Sequence, residues 1–261
     1  MARSQTAQAQ IVLDGKFGTS GALTGPNFSI PADLGSVRGN NLFHSFSQFN
    51  LANGEVASFS GRANIQNILA RVTGDSSSSI DGKIRSEISG ANFFLMNPHG
   101  IVFGPHASLD VSGSFAATTA DYLKLADGAR FVASLNADDS VLSTAPVAAF
   151  GFLGTVPGDI SVQQSTLAVP EGKTISLVGG NVLLDGGTVQ APAGQINVAS
   201  VLSAGEVPAE PVGLGRAFAQ QGSISLQNSA HIDGSGEGGG RIVIRGGRLT
   251  VDNSKIEANQ G

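Results

Sequence analysis

The chain has 261 residues, of which 41% are hydrophobic and only 13% charged, with 36 glycines, no cysteine and a net charge of −5. Charge well under the usual quarter of residues and the lack of a basic patch argue against a nucleic-acid partner, and no apolar run approaches the roughly 20 residues of a membrane-spanning helix. Without cysteine no disulfide stabilises the fold, and such a chain suits threading across a membrane unfolded; glycine lacking a three-residue period excludes collagen.

The amino terminus, MARSQTAQAQIVLD, carries Ala7-Gln8-Ala9, the form of a signal-peptide end, but no apolar core precedes it. Residues 1–10 therefore read as the residual end of a signal, or a polar tail. From Ile11 onward, short runs of Val, Ile, Leu and Phe end at Gly, Asn, Asp or Pro, which is the pattern of strands and turns. Two segments compete as helices: NIQNILARVTG, Asn64 to Gly74, and TTADYLKLADG, Thr118 to Gly128, the latter with a poor period. Between them runs FFLMNPHGIVFG, Phe93 to Gly104, two apolar runs around Asn97-Pro98-His99-Gly100. Pro98 fixes φ near −65°, Gly100 accepts backbone angles closed to other residues, and the Asn97 side chain can bond its own backbone two residues on. This is a strong β-turn signal on physical grounds alone.

After residue 157 a repeat emerges: GDISV, GKTISLV, GQINV, GSISL and GRIVI, anchored by Ile160, Ile175, Ile196, Ile224 and Ile242. Second strands such as STLAV lie between the anchors, GRLTVDNSKIEA follows the last of them, and Leu202 to Gln221 is the largest insertion. Irregular periods near 20 residues with two or three short strands each predict a β-solenoid. At about 4.8 Å per coil the chain would make ~12 coils and a rod ~55 Å long. Apolar ladders are expected inside, with Ser, Thr, Asn and Gln on solvent faces. The 14 Phe against one Tyr and no Trp fit this, since Phe stacks in a core without a polar partner.

No catalytic group, cofactor site or metal site is expected. His44, His99, His106 and His231 read as turn or surface residues, His44 facing solvent beside a Phe stripe. EGKT, Glu171 to Thr174, lacks the earlier glycine of a phosphate-binding loop, and GSGEGGGR, Gly234 to Arg241, lacks the aspartates of calcium-binding repeats. No nucleophile elbow is found. Asp75, Asp81, Glu87, Asp110 and Asp121 are scattered acids that only a fold could pair.

Three linked stretches carry a resemblance: NLFHSFSQFNLANGEVASFSG from Asn41 to Gly61, NIQNILARVTGDSSSSIDGKIRS from Asn64 to Ser86, and GANFFLMNPHGIVFGPHASLDVSGSFAATTADYL from Gly90 to Leu123. The chain resembles the amino-terminal secretion domain of filamentous-haemagglutinin-like exoproteins of two-partner secretion. His99 stands where the best-known members have Asn, and their separate Asn-Pro-Asn-Leu motif is absent. The resemblance implies an all-β, right-handed parallel β-helix with an amino-terminal cap and extra-helical hairpins. It divides the chain into a secretion-domain core at 11–155 and continuing coils of the same solenoid at 156–261, cut from a longer exoprotein. It implies secretion to the cell surface of a Gram-negative-type bacterium. The implied partner is an outer-membrane β-barrel transporter with POTRA modules, and the domain itself is expected to be monomeric. Asn97, Pro98, Gly100 and Ile101 are the expected secretion motif, read by the partner or serving only as a turn. Two other readings stand beside it: a β-helix polysaccharide lyase or hydrolase, and a module that itself adheres to glycans.

Overall fold

The computed structural model describes residues 10–154, 156–209 and 218–261; the Ala7-Gln8-Ala9 stretch and 210–217 of the largest insertion lie outside them. Among the described residues helical structure is confined to two 3-10 turns, Ala32–Leu34 and Asp139–Val141. The strands wind into a parallel β-solenoid of about nine turns. Its first face stacks Asn41–Phe49, Asn67–Val72, Asn92–Met96, Phe115–Thr118, Thr174–Gly179, Gln195–Ser200 and Arg241–Arg245 in parallel. A second face, a six-stranded sheet, runs from Ser78–Ile80 through Ile101–Phe103 and Ile160–Gln163 to Arg248–Val251. The third face is split into two four-stranded sheets, one ending at Ser108–Asp110 and the next beginning at Thr166–Ala168.

Parallel pairing in register turns single positions into ladders. Leu42, Ile68, Phe93, Phe115, Ile175, Ile196 and Ile242 lie one above another inside the first face. All but Ile242 are buried. Near the amino-terminal end the interior is aromatic: Phe59 meets Phe93 edge-on at 4.7 Å and Phe46 meets Phe49 at 5.2 Å. Each such side chain gives up its water-exposed area to the coil above and below, which stabilises by roughly 2 kcal/mol apiece. The amino-terminal edge of this stack is covered. Ile11–Asp14 and Ser36–Arg38 pair antiparallel with Asn41–Phe49, and Ser20–Ala22 pairs with the first of them. The cap thus removes the open ladder edge that a first coil would otherwise expose.

A second core lies outside the solenoid. Tyr122–Leu125, Arg130–Val132, Val147–Phe152 and Gly205–Pro208 form an antiparallel sheet. It packs on the outward side of the first face, burying Phe43, Leu69, Met96, Val178 and Ala199 against Leu123, Phe131 and Phe150. Several first-face strands are therefore buried on both sides, as in sheets covered twice.

That double burial overturns several expectations. Asn64 to Gly74 is not a helix: its core is the strand Asn67–Val72, buried at every position, so no alternation marks it. Thr118 to Gly128 contains the strand Tyr122–Leu125 of the outer sheet. His44 does not face solvent; it is fully buried on the inward ladder, opposite Ala70. The outward side of the first face is not a polar solvent face. The expected ~12 coils become about nine, because two long excursions leave the solenoid for the outer sheet. Finally, the five isoleucine anchors belong to two faces: Ile175, Ile196 and Ile242 share one ladder, while Ile160 and Ile224 flank Val182 on the second.

Candidate functional site: the Asn97–Ile101 turn

The four residues singled out in the sequence come together as one corner between the first and second faces. Asn97 closes the turn twice. Its carbonyl accepts from Gly100 N at 3.1 Å, and its Oδ1 accepts from His99 N at 3.0 Å. The amide Nδ2 then donates to Ser76 O and Ser78 Oγ, both at 3.0 Å, in the coil below. With its backbone N–H given to Thr118 O, Asn97 is fully satisfied and fully buried. Gly100 has φ +114°, a conformation that side chains rarely adopt. Ile101 is buried and continues the ladder from Ser78 to Ile160, Val182 and Ile224.

The coil above locks onto the same corner. Gly158 N donates to Pro98 O at 2.8 Å, and Ile101 N donates to Asp159 O at 3.0 Å. Only the ring of Pro98, half-buried, and the exposed His99 face outward. Chemically the corner offers no acid, base or nucleophile in a cleft. It offers backbone, a proline ring and one imidazole.

The remaining histidines fall in different settings. His44 lies beside Phe59 and Phe46, ring centroids 5.3 and 6.0 Å away, and neither nitrogen makes a well-formed hydrogen bond. Burial pushes its pKa from 6.5 down to about 4, against a weaker raising influence of the Leu34 backbone. His106, exposed, meets Asp81 at 3.1 Å from the preceding coil. His231 sits on the third face, where Asp233 and Glu257 bring their carboxylates close enough for one ion to touch all three. Those donors are already used: His231 Nε2 meets Glu257 Oε1 at 2.9 Å, and Lys255 Nζ lies 2.5 Å from Glu257 Oε2. Asp233 accepts from Ser235 N and Gln190 Nε2. The Lys255 ammonium occupies the place of positive charge, so this set is a cross-coil clasp and a poor fit for a metal ion.

The scattered acids do not form a cluster of three or more among the described residues. Asp110 pairs with Arg85 at 2.7 Å, and Asp121 accepts from Leu153 N at 2.6 Å. A cleft of about 860 Å³ opens beside the outer sheet near Ala199 and Ser200 of the first face, lined by Tyr122, Phe152, Val207 and Phe218 among others. Its carboxylate, Glu206, is held below the usual range chiefly by the Lys124 hydrogen bond at 2.8 Å, and it also accepts from Tyr122. Burial and Glu206 raise the Tyr122 phenol. Neither group is poised for proton transfer at neutral pH.

One buried group escaped the sequence reading. Arg71 is the largest fully buried side chain and pairs through both terminal nitrogens with Asp139, at 2.8 and 2.7 Å. No local signal marks it, because its partner lies 68 residues away.

A family model described as TPS secretion domain matches residues 9–260. Among solved structures, the HMW1 secretion domain from Haemophilus influenzae aligns with a TM-score of 0.52 at 21% identity, covering 86% of this chain and 63% of that one. A filamentous hemagglutinin secretion domain covers 95% of this chain and 98% of its own, at 15% identity and a TM-score of 0.39. The chain spans less than two thirds of the first of these. No curated protein matches. No helix among the described residues is long and apolar enough to cross a membrane.

Proposed function

Because the chain belongs to the TPS secretion domain family, we propose that it addresses an exoprotein to a dedicated outer-membrane transporter, whose POTRA modules bind it before it folds. TPS secretion domains belong to proteins secreted by Gram-negative bacteria, and the family implies a transporter partner in general. It is a secretion-domain family, not a known enzyme family. The observation that carries the reading is the family match over 9–260, which takes in the cap, the coils and the outer sheet together.

The physical case is one of timing. First-face strands such as Asn67–Val72 and Phe115–Thr118 are buried at every position once folded, so their backbone is open to a partner only beforehand. An extended segment of this kind can add a strand to an exposed sheet edge. Folding then withdraws the same backbone into coil-to-coil pairing, which favours release. Asn97, Pro98, Gly100 and Ile101 belong to this scheme as a segment read while extended. Asn97 and Ile101 disappear into the corner afterwards, where the turn joins three coils.

Export from a Gram-negative host carrying the matching transporter tests the proposal. Export is expected to depend on the transporter, and Asn97→Ala or Pro98→Ala is expected to reduce it at least about tenfold while the purified variants still refold. Transporter-independent export would overturn the function. Unaltered export of both variants would reject reading of the turn and leave Asn97–Ile101 as corner only.

A further inference from the structure

The outer-sheet segment makes contacts that nothing in coil-on-coil stacking requires. Arg71, at the centre, is held both by the cap and first coil and by residues 131–139. Its Nε donates to Ser45 Oγ at 2.7 Å, Nη1 to Val132 O at 2.8 Å, and the fork to Asp139. Its guanidinium lies 4.5 Å from the centroid of Phe131 and 5.6 Å from that of Phe17 in the cap. Ser45 Oγ donates to Asp14 Oδ2 at 2.5 Å, and that oxygen also accepts from Thr73 Oγ1 at 2.8 Å. Lys16, two residues on, donates to Leu135 O and Ala137 O at 2.9 and 2.6 Å. On the other flank Asn41 Nδ2 donates to Ser143 O and Ala145 O at 3.0 and 2.7 Å, and a ladder of asparagines follows: Asn67 Nδ2 to Asn41 Oδ1, Asn92 Nδ2 to Asn67 Oδ1. Phe43 stands edge-on to Phe131 at 5.0 Å.

We infer that residues 130–145 are a strap that closes the amino-terminal cap and first two coils, so that these reach their native form only once the chain through Ala145 is in place. A solenoid repeat ordinarily needs only its neighbours. Here the cap and first coil engage groups 102 to 121 residues away along the chain. Without Asp139 the Arg71 charge has no carboxylate, and a buried unpaired guanidinium is strongly unfavourable. Without residues 143–145 the first Asn41 amide has lost both acceptors, and without Phe131 the outer side of Phe43 lies in water. The first coils are thus conditional, whereas Thr174–Gly179 and Gln195–Ser200 stack outside this network. For a chain emerging amino terminus first, the beginning remains open until the strap arrives. That last consequence rests on the export reading; the conditional closure itself does not, and it is tested on the purified protein.

Amide hydrogen exchange on the full chain decides it. Asp139→Asn keeps shape but removes the charge facing Arg71. Exchange in Ile11–Asp14 and Asn41–Phe49 is expected to rise about a hundredfold or more, with Thr174–Gly179 and Gln195–Ser200 unchanged. If Asp139→Asn does not fold, Asn41→Ala, which removes only two strap bonds and one asparagine acceptor, is expected to give the same localised pattern with a rise of about tenfold. Unchanged exchange in the cap would overturn the strap, as would an equal rise in every coil.

Discussion

His44 and Asn97 are both buried polar residues, and their opposite fates show what a single position can and cannot announce. Asn97 has every polar atom satisfied, and its turn was legible because Pro and Gly at fixed offsets constrain the backbone directly. Asn97→Ala leaves Ser78 Oγ and Ser76 O without their donor and is expected to cost about 2 kcal/mol in urea unfolding. His44 was misread because alternation assigns a residue to one side of a strand without saying whether the other side is wet. Its folded pKa of about 4 lies below the free value of 6.5. Below pH 6.5 the unfolded chain takes up a proton that the folded chain refuses. Stability from this group is therefore complete above pH 6.5 and lost as pH falls toward 4, by about 3 kcal/mol at most. Urea titrations at pH 7 and pH 4 should show the native protein losing that much more than His44→Leu; equal losses would contradict the burial of a neutral ring.

At the scale of elements, strands were legible and their partners were not. Short Val, Ile, Leu and Phe runs ending at Gly or Asn marked most of the strands. Asn67–Val72 competed with a helix because burial on both sides erases the period of two, whereas Tyr122–Leu125, with Lys124 half-buried, offers four residues, too few to show a period. The isoleucine anchors were real but merged two faces, since a ladder position depends on how many residues each corner consumes. Corners therefore fix register, and one tight crossing lies where Gly158 meets the Asn97–Ile101 turn. A Cβ on Gly158 would sit 2.3 Å from Gly100 N and 2.5 Å from His99 C, both backbone. Neither coil can yield without shifting its ladder. Gly158→Ala is expected to destabilise by about 2 kcal/mol, lowering Tm by roughly 5 °C in a thermal melt followed by circular dichroism.

For the whole molecule, the solenoid could be read from a recurring glycine–isoleucine pattern and low charge, because parallel stacking satisfies the backbone without ion pairs. The strap could not be read. Arg71 and Asp139 are each unremarkable in their own segments, and only the folded chain brings them together. The proposed function divides the same way: on that reading a partner meets the backbone before it folds. The most direct measurement compares binding of the transporter's isolated POTRA modules to the chain freshly diluted from urea and to the refolded chain. Binding to the unfolded chain that disappears as coils form is the predicted result. Equal or stronger binding by the refolded solenoid would contradict it.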